Sequence, residues 1–192
     1  VIAFHCNGIG GKAMEELVLD GEIEGVIDFS PHDINGLLFD GLMPALPGRM
    51  EAAGRMGIPQ IVAPGATDIR LHGPPEELPE ELCARAWVQH TPTHTHVRSS
   101  ADEMAAIARW TAERLNAGSG SRAVMIPLRG YSMLNREGQV LYDDASNKAY
   151  VKSMVQALST EVELIELDAH INDRAFADAV VDTFLRLRAA DL

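Results

Sequence analysis

Val1-Ile2-Ala3-Phe4-His5-Cys6-Asn7-Gly8-Ile9-Gly10-Gly11-Lys12 is an apolar run that breaks into a glycine turn and then a helical pattern. Residues of this kind suit a strand covered on both faces, and glycines allow a tight exit from it. The same order recurs along the chain. Apolar runs at residues 1–5, 25–29, 60–63, 123–128 and 163–167 are rich in Val, Ile or Leu. Between them lie helical periods: Met104, Ile107, Ala108 and Leu115 behind the capping box Ser100-x-x-Glu103; Val151, Met154, Val155 and Leu158; then Phe176, Val180, Val181, Phe184 and Leu187. Asn172 or Asp173 stands ready to cap the last of these. Strand alternating with helix predicts βαβ crossovers. The expected fold is therefore α/β, an open, mainly parallel Rossmann-like sheet with helices on both faces. Residues 65–99 interrupt the pattern with Gly73-Pro74-Pro75 and Pro79. They read as a long excursion over the sheet, with a short helix near residues 80–86.

Composition narrows the function classes. With 46% hydrophobic and 23% charged residues among 192, the chain reads as one folded domain over residues 1–192 rather than a disordered segment. Sixteen Lys and Arg against 28 Asp and Glu give a net charge of −12, spread evenly. That balance excludes general binding to nucleic acid or to anionic membrane surfaces. No apolar stretch reaches the roughly 20 residues of a membrane span. Two cysteines, Cys6 and Cys83, make no disulfide framework, so a reducing, cytoplasmic setting is expected. A chain that opens inside a strand-like run without an initiator Met reads as part of a longer protein, with an N-terminal domain missing from view.

Ligands of open α/β sheets gather beyond the carboxyl ends of the strands. The residues expected there are His5 to Lys12, Ser30-Pro31-His32-Asp33, Pro64-Gly65-Ala66-Thr67-Asp68, Arg129-Gly130-Tyr131-Ser132 and Asp168-Ala169-His170-Ile171-Asn172-Asp173. Gly8, Gly10 and Gly11 suit a phosphate or carboxylate held by backbone N–H groups at a helix N-terminus, or else simply a tight turn. The loop is no Walker motif, since Lys12 follows the glycines directly and Ala13 replaces Ser or Thr. Gly8-x-Gly10-x-x-Ala13 fits the loose dinucleotide fingerprint, and Asp28 falls where a ribose-binding acid would lie. Arg129, beside Gly130, could grip an anion or make a structural ion pair. His5, Asp168 and His170 are the candidates for proton transfer. His90, His94 and His96 raise the question of a metal. The expectation is none, because a zinc site needs at least three protein ligands and no carboxylate or thiol stands at a suitable spacing.

Several segments together resemble a known family: Phe4-His5-Cys6-Asn7-Gly8-Ile9-Gly10-Gly11-Lys12-Ala13-Met14-Glu15, Arg49-Met50-Glu51-Ala52-Ala53, Ile58-Pro59-Gln60-Ile61-Val62-Ala63-Pro64-Gly65-Ala66, Pro127-Leu128-Arg129-Gly130 and Leu167-Asp168-Ala169-His170-Ile171-Asn172-Asp173. In this order they look like the tomato mosaic virus resistance protein-like ATP-binding family. The resemblance implies a protein of two Rossmann-like halves, this chain being the second, with ATP, with or without Mg, bound near the junction. It implies further that plant relatives carry a fused barrel domain and block a viral replication protein, while bacterial relatives stand alone. In the family pattern Ala-Thr precedes the first glycine; here Cys6-Asn7 does, which removes a hydroxyl that could serve as a Mg ligand.

The leading expectation is a nucleotide-binding half-site in a small-molecule enzyme and a homo-oligomer. The phosphates would lie on Gly8, Gly10 and Gly11, with Arg129 and Gly130 beside them. The alternatives are a non-catalytic, ligand-gated interaction module and a dinucleotide-dependent oxidoreductase using Asp28.

Overall fold

The computed structural model describes residues 1–190. Four parallel strands form the main sheet: β1 (Val26–Asp28), β2 (Gln60–Val62), β6 (Arg122–Pro127) and β7 (Glu163–Leu167), in the order β1-β2-β6-β7. Alternation along the central strands sorts their side chains between two layers. Ile61, Ala123 and Met125 face helix α7 (Arg174–Ala190) and its Phe176, Val180 and Leu187. Val62, Val124 and Ile126 face α5 (Ala101–Ala117) and α6 (Asp144–Ala157) through Met104, Ile107, Tyr150 and Met154. Helices thus cover both faces, as expected of parallel strands. Val155 and Val181, expected among the apolar contacts, are instead half exposed on the outer sides of α6 and α7.

Three further helices complete the first half: α1 (Gly8–Leu19), α2 (Asp33–Phe39) and α3 (Ala52–Met56). Val18 of α1, Ala52 and Ala53 of α3 and Val26 of β1 share a small apolar cluster. The expected first strand, residues 1–5, forms no sheet pairing. Val1, Ile2 and Ala3 lie exposed beside β1, which is left as the edge of the sheet. Its apolar composition was right for a strand, but no ladder bond fixes it.

The excursion has a fold of its own. Strands β3 (Ile69–His72), β4 (Trp87–Thr91) and β5 (His94–Arg98) make an antiparallel sheet in the order β3-β5-β4, with α4 (Glu80–Cys83) under it. Leu78, Leu82 and Val97 form its core. The capping box anchors it to the rest of the molecule. The Ser100 N–H donates to Glu103 Oε2 at 2.8 Å, and the Glu103 N–H donates to Ser100 Oγ at 3.3 Å. The same Glu103 carboxylate receives Arg70 of β3 at 2.7 Å and Arg85 at 2.6 Å. Burial opposes its charge, yet these donors hold its pKa below the ordinary carboxylate value.

Candidate functional site

Because β1, β2, β6 and β7 run parallel, the loops that follow them meet at one rim, which bears out four of the five places expected there. Residues 5–12 follow no strand and join the rim only through the contacts of Gly11 with Arg49 and Asp33. Three arrangements occupy it.

The first surrounds the glycine turn. Asn7 caps α1 by accepting the Gly10 N–H on Oδ1 at 2.8 Å, and the Gly11 N–H goes to the Asn7 carbonyl at 2.8 Å. Among the described residues, no acceptor takes the N–H groups of Gly8 or Ile9, and Ile9 is 79% exposed. The missing side chains serve packing: a Cβ on Gly8 would overlap the Pro44 carbonyl, and one on Gly10 would overlap the His5 carbonyl. Asn7 thus has a capping role, and its side-chain oxygen is already engaged by the Gly10 N–H.

The second arrangement is a buried ionic hub, which sequence reasoning missed. Arg49, 5% exposed, holds both oxygens of Asp28 in a bidentate pair. Its Nε donates to Asp33 Oδ2 at 3.0 Å, and Nη1 lies 3.4 Å from Glu15 Oε1. Glu15 also accepts the N–H groups of Met50 at 2.6 Å and Ala52 at 2.8 Å. Burial opposes the Arg49 charge, but Asp28 and Asp33 raise its pKa above the ordinary arginine value. Burial pushes the Glu15 carboxyl upward. Asp28, expected as a candidate ribose acid, is therefore committed to Arg49. A Cβ on Gly11 would meet Arg49 Nε at 2.8 Å and Asp33 Oδ2 at 3.0 Å, so this glycine makes room for the hub.

The third arrangement joins the loops after β2, β6 and β7. The buried Asp68 accepts Ser132 Oγ at 2.7 Å and lies 3.8 Å from Arg98, whose Nη2 donates to Asn147 Oδ1 at 2.8 Å. Asn147 and Asn135 exchange amide bonds at 2.9 and 3.1 Å. Burial pushes the Asp68 carboxyl upward and the Arg98 guanidinium downward. His170 belongs here too. Its Nδ1 receives the Asn172 N–H at 3.2 Å and Nε2 meets the Ser132 carbonyl at 2.9 Å, so the ring locks two loops together. Gly130, at φ +123°, passes the Asn135 carbonyl too closely for any Cβ.

The predicted residues are thus divided. Arg129 and Asp168 form an exposed pair with two 2.6 Å bonds, which raises the arginine pKa and lowers that of the carboxyl. Asp173 accepts the His170 N–H at 2.9 Å and pairs with Arg136. His5 sits beyond β1, at the other side of the sheet from Asp168 after β7. Three strand spacings of about 4.8 Å separate those edges, roughly 14 Å in all, so His5 and Asp168 make no single catalytic group. On the outer sheet, His90 stacks on His96 with centroids 4.3 Å apart. Among the described residues, no group of three or more His, Cys, Asp or Glu is arranged to hold a metal ion. No helix there is long and apolar enough to cross a membrane.

Parallel strands with helices on both faces and a polar carboxyl rim define a Rossmann-like α/β domain. Residues 1–188 match the model of an uncharacterised protein family, the UPF0261 C-terminal domain, and the chain belongs to that family. It is 37% identical over 188 residues to a UPF0261 protein of Clostridium tetani, covering 97% of this chain and 46% of that protein. A UPF0261 protein of Rhizobium meliloti is 36% identical over 189 residues. The ToMV resistance protein Tm-1 of Solanum lycopersicum is 32% identical over 188 residues, which make up 25% of its length. The chain spans about half the length of the bacterial relatives it matches.

Proposed function

We propose that this domain supplies one half of a binding site for a small anionic ligand, a nucleotide in the first instance, within a larger small-molecule enzyme. The observation that carries the reading is the first turn of α1, where the N–H groups of buried Gly8 and exposed Ile9 have no acceptor among the described residues. A phosphate there would be held by both donors and by the helix dipole. Arg129, two strands away and solvent-exposed, can exchange Asp168 for a second phosphate. ATP is the ligand to test, as the family resemblance implies, with any Mg held by the phosphates rather than by Asn7. His5 and Asp168 remain the groups open to proton transfer; His170 acts as a positioning residue. The other half-site comes from a partner domain or a second copy in a cytoplasmic protein, a setting consistent with free Cys6 and Cys83. The dinucleotide alternative loses its acid to Arg49. Similarity to a plant protein named for resistance to a virus keeps a protein-interaction role as the second reading.

Calorimetric titration of the intact protein with Mg-ATP, ADP, AMP, adenosine and NAD tests the proposal. ATP binding, with an Arg129→Ala loss that grows with phosphate number, supports it. Equal losses for adenosine and ATP remove Arg129 from the phosphate role, and no binding of any nucleotide overturns the reading.

A further inference from the structure

Residues 1–4 and strand β1 face each other across a groove of about 800 Å3 that runs from Gly21–Gly25 to Ser30. The β1 side of this groove is an unfilled sheet edge. Val26 donates its N–H to the Pro59 carbonyl at 2.8 Å and Asp28 accepts the Ala63 N–H at 2.9 Å. In a parallel ladder the residue between them turns its N–H and C=O the other way, so both polar groups of Ile27 face the groove. The layers above and below are already in place. Met14 of α1 lines the groove, and so do Phe184 and Arg188 of α7, so a strand lying in it would be covered on both faces.

The dimensions fit one short strand. Four residues at about 3.3 Å rise, one strand spacing of about 4.8 Å and a layer of about 10 Å enclose on the order of 600 Å3, which a groove of this size accommodates. The occupant is at hand: Val1, Ile2, Ala3 and Phe4 line this groove, and the first three are exposed. A parallel pairing needs a crossover of about a dozen residues, and α1 supplies 12. We infer that residues 1–4 close onto β1 as a fifth parallel strand, ahead of the order β1-β2-β6-β7, and that the structure holds this strap open. Closure draws His5 and Cys6 alongside Ser30 at the carboxyl rim and fixes the glycine turn against the sheet. It also removes an unpaired edge, which folded proteins otherwise protect by other means.

Hydrogen exchange of the Ile27 amide in the intact protein tests this, with no ligand involved, so its failure leaves the nucleotide proposal standing and the reverse also holds. Closure predicts exchange at least tenfold slower than in Ala3→Pro, which cannot donate to the ladder, with protection of central β6 unchanged in both. Equal Ile27 exchange in the two proteins overturns the proposal. Ile2→Asp provides a second variant; it should also release Ile27, whereas an open strap would leave it unaffected because Ile2 is already 64% exposed. Protection that fades on dilution together with a dimer would overturn intrachain closure and assign the strap to a neighbouring copy.

Discussion

Two arginines near the carboxyl ends of the sheet meet carboxylates in opposite surroundings. Arg49 is buried among Asp28, Asp33 and Glu15, while Arg129 and Asp168 are each more than 60% exposed at the side chain. Both make a bidentate pair. Water decides what each pair can do. The buried guanidinium is the counter-charge that three desolvated carboxylates need, so its removal leaves them uncompensated. The exposed pair gains little from its partner and can be traded for a ligand anion.

The comparison breaks most directly at Arg49. Arg49→Met should destabilise the fold by about 3–5 kcal/mol in urea unfolding, the usual consequence of leaving buried charge unpaired. A loss below about 1 kcal/mol would show that the hub is not structural. Asp68 offers a milder version, because burial already favours its neutral carboxyl. Asp68→Asn should cost less than about 1 kcal/mol, whereas Asp68→Ala, which strips Ser132 of its acceptor, should cost about 2 kcal/mol. The same unfolding measurement separates them.

A pH series sharpens the contrast. Burial, reinforced by stacked His90, pushes His96 from its ordinary 6.5 down to about 4. Between those values the unfolded chain binds the extra proton, so stability is present above about 6.5 and is lost as pH falls toward 4. Thermal unfolding across this window should show that decline, and His96→Gln should flatten it. The smallest effect belongs to the exposed pair. Arg129→Ala should leave the urea midpoint unchanged at both low and high salt; a clear shift would put the pair in the structural class with Arg49.

Much of this fold was legible one segment at a time. The run at residues 163–167 became β7 with those boundaries, and Ser100-x-x-Glu103 became a complete capping box, because both depend on neighbouring residues. The excursion concealed a three-stranded sheet because its pairings, such as Ile69 with Arg98, join distant segments. Arg49 stayed hidden for the same reason. Its partners Asp33, Asp28 and Glu15 lie 16, 21 and 34 residues away, and a single arginine in an irregular segment carries no periodic signal. The glycine turn was visible, but the sequence does not reveal that Pro44, His5 and Arg49 fill the space left by its missing side chains. Residues 1–5 carried a strand signal that chain composition supports and ladder bonding does not.

Glu103 ties a local event to a distant one. Its carboxylate finishes the first turn of α5 and also receives arginines from the outer sheet, so neither part reaches its final contacts alone. Helix formation takes roughly 0.1–1 μs, whereas a hairpin such as β4–β5 of the outer sheet takes roughly 1–10 μs. Refolding kinetics should therefore show α5 consolidating in step with the outer sheet, making Glu103 a timing element in the order of assembly.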